Sequence, residues 1–176
     1  KPMFGHFNDD PRVLEFLESS KLKPLSELGT SCPDHFLRTK VKPMVLDTAP
    51  DAPIEQVKKR IAQLHEQYRK DYESYYRKHA KKDSPSMRGA DPAIVLVPGV
   101  GMFSYGANKQ TARVAGEFYL NAINVMRGAE AISKYQAISD REKFNIEYWS
   151  LEEAKLQRMP KPKPLASRVA FVTGGA

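Results

Sequence analysis

Residues 92–126 read PAIVLVPGVGMFSYGANKQTARVAGEFYLNAINVM, and the fold turns on how they are read. Ile94–Val97 is an apolar run with β-branched residues at both ends, the pattern of a buried strand. Pro98, Gly99 and Gly101 break it at once. Met102–Tyr105 sets Ser104 between Phe103 and Tyr105, so a return strand and a tight β-hairpin are expected. Gly106 ends the second strand, and Asn108 is placed to cap a helix. Ala112, Ala115, Phe118 or Tyr119, Ala122, Val125 or Met126 and Ala129 then recur at three- and four-residue steps. They make one apolar stripe whose small residues allow close approach to a sheet.

A glycine-rich turn between strand and helix also invites a nucleotide reading. Gly99, Gly101 and Gly106 are spaced G-x-G-x-x-x-x-G. A dinucleotide site needs the last glycine two positions sooner and a loop that runs straight into the helix. The hairpin reading is favoured because Met102–Tyr105 stands in between.

Working outward, Asp10-Pro11 pairs an N-cap with a first-turn proline, and Val13, Leu14, Phe16 and Leu17 follow as a short amphipathic helix. Leu25–Leu28 is another turn of helix, closed by Gly29. Pro33 opens a third short helix. Met44–Leu46 is a candidate strand beside the hairpin. Asp51-Ala52-Pro53 starts a long helix in which Val57, Ile61, Leu64, Tyr68, Tyr72 and Tyr75 or Tyr76 step by three and four to about His79. Tyrosine at that spacing is more often a half-buried stripe than a binding surface. Lys81–Ala90 reads as an exposed loop. Ser139–Glu142 caps a further helix anchored by Phe144, Ile146, Tyr148 and Trp149, and Glu152–Leu156 is helical too. The fold class is therefore α/β. Both long helices, Ile54–His79 and Asn108–Ala131, are expected to lay their stripes on the sheet.

The 176 residues suit one ordinary domain with a possible extra piece. Lys plus Arg total 28 against 21 for Asp plus Glu, a net charge of +7. The basic residues of 60–82 and 155–163 are interleaved with Glu66, Asp71, Glu73, Glu152 and Glu153, so a solvated helix face is favoured and no nucleic-acid partner is expected. The single cysteine, Cys32, rules out a disulfide within the chain and suits a reducing compartment. No run nears the ~18 apolar residues of a membrane span, so no membrane partner is expected. No signal peptide opens the chain, and both of its ends look cut.

Candidate chemistry is sparse. His6, His35, His65 and His79 pair at no metal-ligand spacing. His35, with Asp34 and Cys32 close by, could form a cysteine–histidine pair, but capping or packing is favoured. Glu117 could serve as a general base, or simply favour the amino end of its helix; the second reading is preferred. Asp140 and Glu142 fit a helix start.

Two stretches carry a family resemblance. IVLVPGVGMFSYGANKQTARVAGEFY, residues 94–119, resembles the late hairpin and helix of zinc-dependent class II aldolases of the fuculose-, rhamnulose- and ribulose-phosphate type. In that family a His-Gly step near this point supplies a zinc ligand. Here the step falls on Val100-Gly101, so the glycine fits and the ligand is absent. RVAFVTGGA, residues 168–176, resembles the opening strand of short-chain dehydrogenases, with Thr173 and Gly174 on the first positions of TGxxxGxG. Between the two lies Met159–Pro164, where alternating proline marks a stiff linker. The order is similar to that of bifunctional enzymes joining a class II aldolase-like domain to an NAD-dependent dehydrogenase, including rhamnulose-1-phosphate aldolase/lactaldehyde dehydrogenase fusions. TSCPDHFLRTKVKP and EYWSLEEAKL also resemble that group.

The resemblance implies a middle fragment of a cytoplasmic, sugar-catabolic protein. Residues 1–158 would be the carboxyl part of an aldolase-like domain, 159–166 a linker, and 167–176 the first strand and turn of a Rossmann domain. It implies a hydroxyaldehyde or sugar-phosphate substrate and NAD in the parent, with Thr173 and Gly174 as cofactor-site positions. A homo-oligomer is possible. Neither catalytic residues nor metal ligands are expected in this chain, because the family's histidines would precede Lys1 and its Ser-Tyr-Lys set would follow Ala176. No bound NAD is expected without that remainder. The strand Val169–Val172, lacking parallel neighbours, should be disordered or add to a sheet edge. The competing reading is a non-catalytic oligomerisation or spacer module.

Overall fold

The computed structural model describes residues 3–49, 51–158, 160–161, 163–166, 168–169 and 171–174. The hairpin forms as expected. Strands β3 (Ile94–Val97) and β4 (Gly101–Gly106) pair antiparallel, with Ile94 opposite Ser104 and Leu96 opposite Met102. Strand β2 (Met44–Val45) lies parallel to β3, Met44 opposite Val95. A fourth strand, β1 (Phe4–Asn8), pairs antiparallel with the other edge of β4, Phe7 opposite Phe103. The sheet order is β1-β4-β3-β2. Sequence reading missed β1, because FGHFN holds a glycine and two polar residues and is too short to show a period.

Helix α1 (Pro11–Glu18) starts on Asp10, whose carboxylate accepts from the Arg12 backbone N–H, and α2 (Leu22–Leu28) ends on Gly29 at φ 86°. A 3₁₀ turn, Pro33–His35, runs into the single-turn helix α3 (Phe36–Thr39). The long helices are α4 (Ile54–His79) and α5 (Lys109–Ile132); α6 (Asp140–Glu147) and α7 (Ser150–Arg158) follow. Asn108 caps α5 through the Thr111 N–H, and Ser139 with Glu142 forms a reciprocal capping box on α6.

Helix α5 packs as the stripe predicts. Ala115, Tyr119, Ala122, Ile123 and Met126 join Ile94, Leu96 and Met102 in the main core, with α1 and α2 closing its side. Glycine makes this approach possible at Gly106, where a Cβ would sit 2.6 Å from the Ala112 backbone nitrogen.

Helix α4 departs from the expectation. It meets the sheet at β2 and packs its tyrosines on α6, so that Tyr68, Tyr72, Phe144 and Tyr148 make a second core with Met44. The reason lies in the side chains. Tyrosine hydroxyls need partners when buried, and a sheet face of Val and Phe offers none. The Lys42 carbonyl accepts from Tyr68 at 2.8 Å, and Glu147 accepts from Tyr72.

The strand anticipated at Val169–Val172 is not formed among the described residues. Val169, Phe171 and Val172 are exposed and join no sheet of this chain; Ala170 lies outside the described residues. In the linker, Met159 and Pro162 also lie outside them.

Candidate functional site

Residues singled out in the sequence are not gathered into one place. Gly99 and Val100 sit at the exposed tip of the β3–β4 turn, with Val100 46% exposed. Gly101, at φ 147°, lets the turn pass under β1: a Cβ there would lie 2.7 Å from the Phe7 ring. These glycines serve a hairpin.

His35 stacks flat on Phe118, with centroids 3.8 Å apart and an interplanar angle of 8°. Its Nδ1 is buried without a hydrogen-bond partner, and burial lowers its pKa against the opposing pull of Asp34. Cys32 meets it through the backbone, its carbonyl accepting from the His35 N–H. Packing is the role this arrangement fits. Glu117 is half exposed and pairs with Arg113 one turn away on α5. Thr173 and Gly174 form an exposed bend, and among the described residues no helix follows them in the chain.

The concentrated chemistry lies elsewhere, around Glu147 at the carboxyl end of α6. Its side chain is 1% exposed. The Tyr72 hydroxyl donates to Oε1 at 2.5 Å. Tyr72 and Tyr148 oxygens lie 2.7 Å apart. Tyr72 has spent its one hydrogen on Glu147, so Tyr148 donates to Tyr72. The Arg88 backbone N–H in turn donates to Tyr148 at 3.3 Å. A directed chain therefore runs from Arg88 through both tyrosines to the carboxylate.

Lys40 approaches from the end of α3. Its Nζ donates to the Gly89 carbonyl at 2.7 Å and to Tyr72 Oη at 3.1 Å, lies 4.2 Å from the centre of the Tyr72 ring, and stands 4.0 Å from Glu147 Oε1. The Arg88 guanidinium covers the Tyr148 ring at 4.4 Å, donates to the Glu147 backbone carbonyl and pairs with Glu153 at 2.7 Å. Glu147 Oε2 and the Tyr75 hydroxyl are buried and interact with one another, short of a well-formed hydrogen bond. Beside Tyr72 a cavity of about 190 Å³ opens, lined also by Tyr68, Tyr75, Lys42, Asp71 and Asp140.

Burial sets the electrostatics. It raises the Glu147 pKa, although Lys40, Tyr72 and Arg88 all oppose it. It lowers Lys40 to about 8, although Glu147 opposes it. Both groups are pushed toward their neutral forms, as expected when two charges are desolvated and not in direct contact. Burial and the Glu147 charge keep Tyr72 protonated. Lys40 is also the one described non-glycine residue with positive φ, at 63°. Such a conformation costs about 1–3 kcal/mol and persists only where the surroundings hold it. The arrangement can hold a proton at Glu147 or at Lys40, with the Tyr72 hydroxyl between the two groups. Sequence reading took the tyrosines as a packing stripe and Tyr148 as an anchor. Glu147, a carboxylate between the apolar anchors Ile146 and Tyr148, was the available signal.

The described residues do not by themselves fit a zinc ion. No group of three or more His, Cys, Asp or Glu side chains is placed to hold a metal among them. His6 lies on β1, His65 pairs with Asp91 at 3.1 Å, and His79 sits among Tyr75 and Phe144.

Comparison with known proteins supplies the remaining observation. The family described as "Aldolase class II, second domain" matches residues 1–156. The chain belongs to this family. It is also 32% identical over 177 residues to a protein of Bacillus subtilis (strain 168) named "Uncharacterized oxidoreductase YuxG". That match takes in 100% of this chain and 26% of the relative, so the chain spans about a quarter of the relative's length. No solved structure matches. Among the described residues no helix is long and apolar enough to cross a membrane.

Proposed function

We propose that this chain is the aldolase-like part of a bifunctional, cytoplasmic sugar-catabolic enzyme in which a class II aldolase-like unit is joined to a short-chain, NAD-dependent oxidoreductase. The observation that carries the reading is the pairing of a class II aldolase family match over 1–156 with a longer relative named as an oxidoreductase. The proline-rich segment and the Thr173-Gly174 turn after it agree with a dehydrogenase domain beyond. NAD would supply hydride chemistry there; in this chain Thr173 and Gly174 would only begin its phosphate turn. The substrate class is a hydroxyaldehyde or sugar phosphate, and this chain alone completes neither active site.

One observation favours a second reading, a non-catalytic oligomerisation or spacer unit. Valine has no lone pair, so Val100 at the turn cannot replace a zinc-binding imidazole. The test is an assay of the full-length protein against a panel of hydroxyaldehydes with NAD and of sugar phosphates for cleavage. Turnover in both assays is expected. Oxidation without cleavage supports the spacer reading, and activity in neither overturns the proposal.

A further inference from the structure

The two faces of the sheet are covered unequally. By the strand register, His6, Ser104, Met102, Ile94 and Leu96 point to one face, and α5 with α1 closes it. Gly5, Phe7, Phe103, Tyr105 and Val95 point to the other. There α4 and α6 shelter Met44 and Val95 at the β2 side only. Over β1 and β4 that layer stops. Phe7 is 43% exposed, with its ring 5.0 Å from that of Phe103, and the Tyr105 ring lies over Gly5. The outer edge of β1 also faces no strand among the described residues. An aromatic half-face beside a free strand edge is an adhesive surface that folded proteins keep covered.

We infer that the aromatic half-face of β1 and β4, with the free edge of β1, is the seat of the family's first domain within the same polypeptide. The inference rests on the reading above, that this chain is one part of a longer enzyme. The family is described as a second domain, which calls for a first, and the chain spans 26% of its relative, which leaves ample polypeptide to supply one. The fitting occupant is an extended segment. Its backbone would pair with β1, and its aromatic or β-branched side chains would lie over Phe7, Phe103 and Tyr105.

The test is site-specific photo-crosslinking in the full-length protein. Phe7→p-benzoylphenylalanine keeps an aromatic ring at a half-exposed position and so preserves folding; Ile54→p-benzoylphenylalanine, at a 64% exposed site on α4, is the control. Irradiation should join position 7, and not position 54, to class II aldolase sequence outside these residues in the same molecule. Amide hydrogens of Phe4–Asn8 should exchange at least tenfold more slowly in the full-length protein than in its Phe7→Lys variant. A crosslink between two copies, one to dehydrogenase sequence, or none with fast exchange of Phe4–Asn8 would each overturn the inference. If the full-length protein contains no aldolase sequence outside these residues, the underlying reading fails instead, which separates the two failures.

Discussion

Lys40 and Glu147 are paired through an intermediary. With 4.0 Å between Nζ and Oε1, Tyr72 Oη serves both groups, accepting from the amine and donating to the carboxylate. Each ion is therefore short of direct compensation, and the pH dependence of stability follows. Glu147 binds its proton more tightly folded than unfolded, so its contribution favours folding in acid and is lost as pH rises from its ordinary value near 4.5 through its raised folded value. Lys40 behaves in the opposite sense. Its folded pKa of about 8 lies below the ordinary 10.5, so its penalty is fully present below pH 8 and is relieved between 8 and 10.5. Urea titrations across pH should show the stability of the wild type falling relative to Glu147→Gln as pH rises above 4.5. A difference independent of pH would show that the carboxylate does not titrate in the fold. Lys40→Met removes the described amine nearest the carboxylate, at 4.0 Å, and should cost stability at neutral pH by less than the ~3–5 kcal/mol of a broken direct pair, because the Lys40 penalty goes with it. The loss should shrink in acid, where Glu147 is neutral.

Among the elements, α5 and α6 depend on different local devices. Helix α5 lies against β4 because Gly106 and Gly116 carry no side chain; a Cβ at Gly116 would come within 2.8 Å of Ser104 Oγ. Gly106→Ala forces a methyl against the backbone of α5 and should destabilise by about 1–3 kcal/mol in equilibrium unfolding. Helix α6 depends on its capping box, and Ser139→Ala should cost about 1 kcal/mol, with the amide exchange of α6 accelerated before that of α5. These caps and the hairpin were legible in the sequence because their signals are local: a glycine between apolar runs, or a serine three residues before a glutamate. The partner of α4 was not legible. A stripe of tyrosines shows that one face is covered, and only the three-dimensional arrangement of Glu147, Lys40 and Lys42 shows that the cover is α6. For the same reason the site was read least well. His35 and Glu117 look chemical in sequence but meet a ring and a surface arginine, whereas Glu147 looks like an ordinary helix glutamate until its burial is seen.

For the whole molecule, the described residues build one finished sheet face, one half-finished face, and an exposed carboxyl-terminal segment after α7. This form agrees with the proposal that the chain is one part of a larger enzyme. Isolated, the 176-residue chain should bind an apolar dye such as ANS through its half-open sheet face, and Phe7→Lys should reduce that signal. Unchanged dye binding would place the sticky surface elsewhere, at the exposed Val169, Phe171 and Val172. We propose that Thr173 and Gly174 belong to the phosphate turn of a dinucleotide site in the full-length protein. A pyrophosphate needs the free N–H groups of the helix that follows such a turn. Calorimetric titration of NAD into the full-length protein and into the 176-residue chain tests this directly. Saturable binding to the full-length protein and a silent titration of the 176-residue chain are expected; micromolar binding by the chain alone, or none by the full-length protein, would contradict the account.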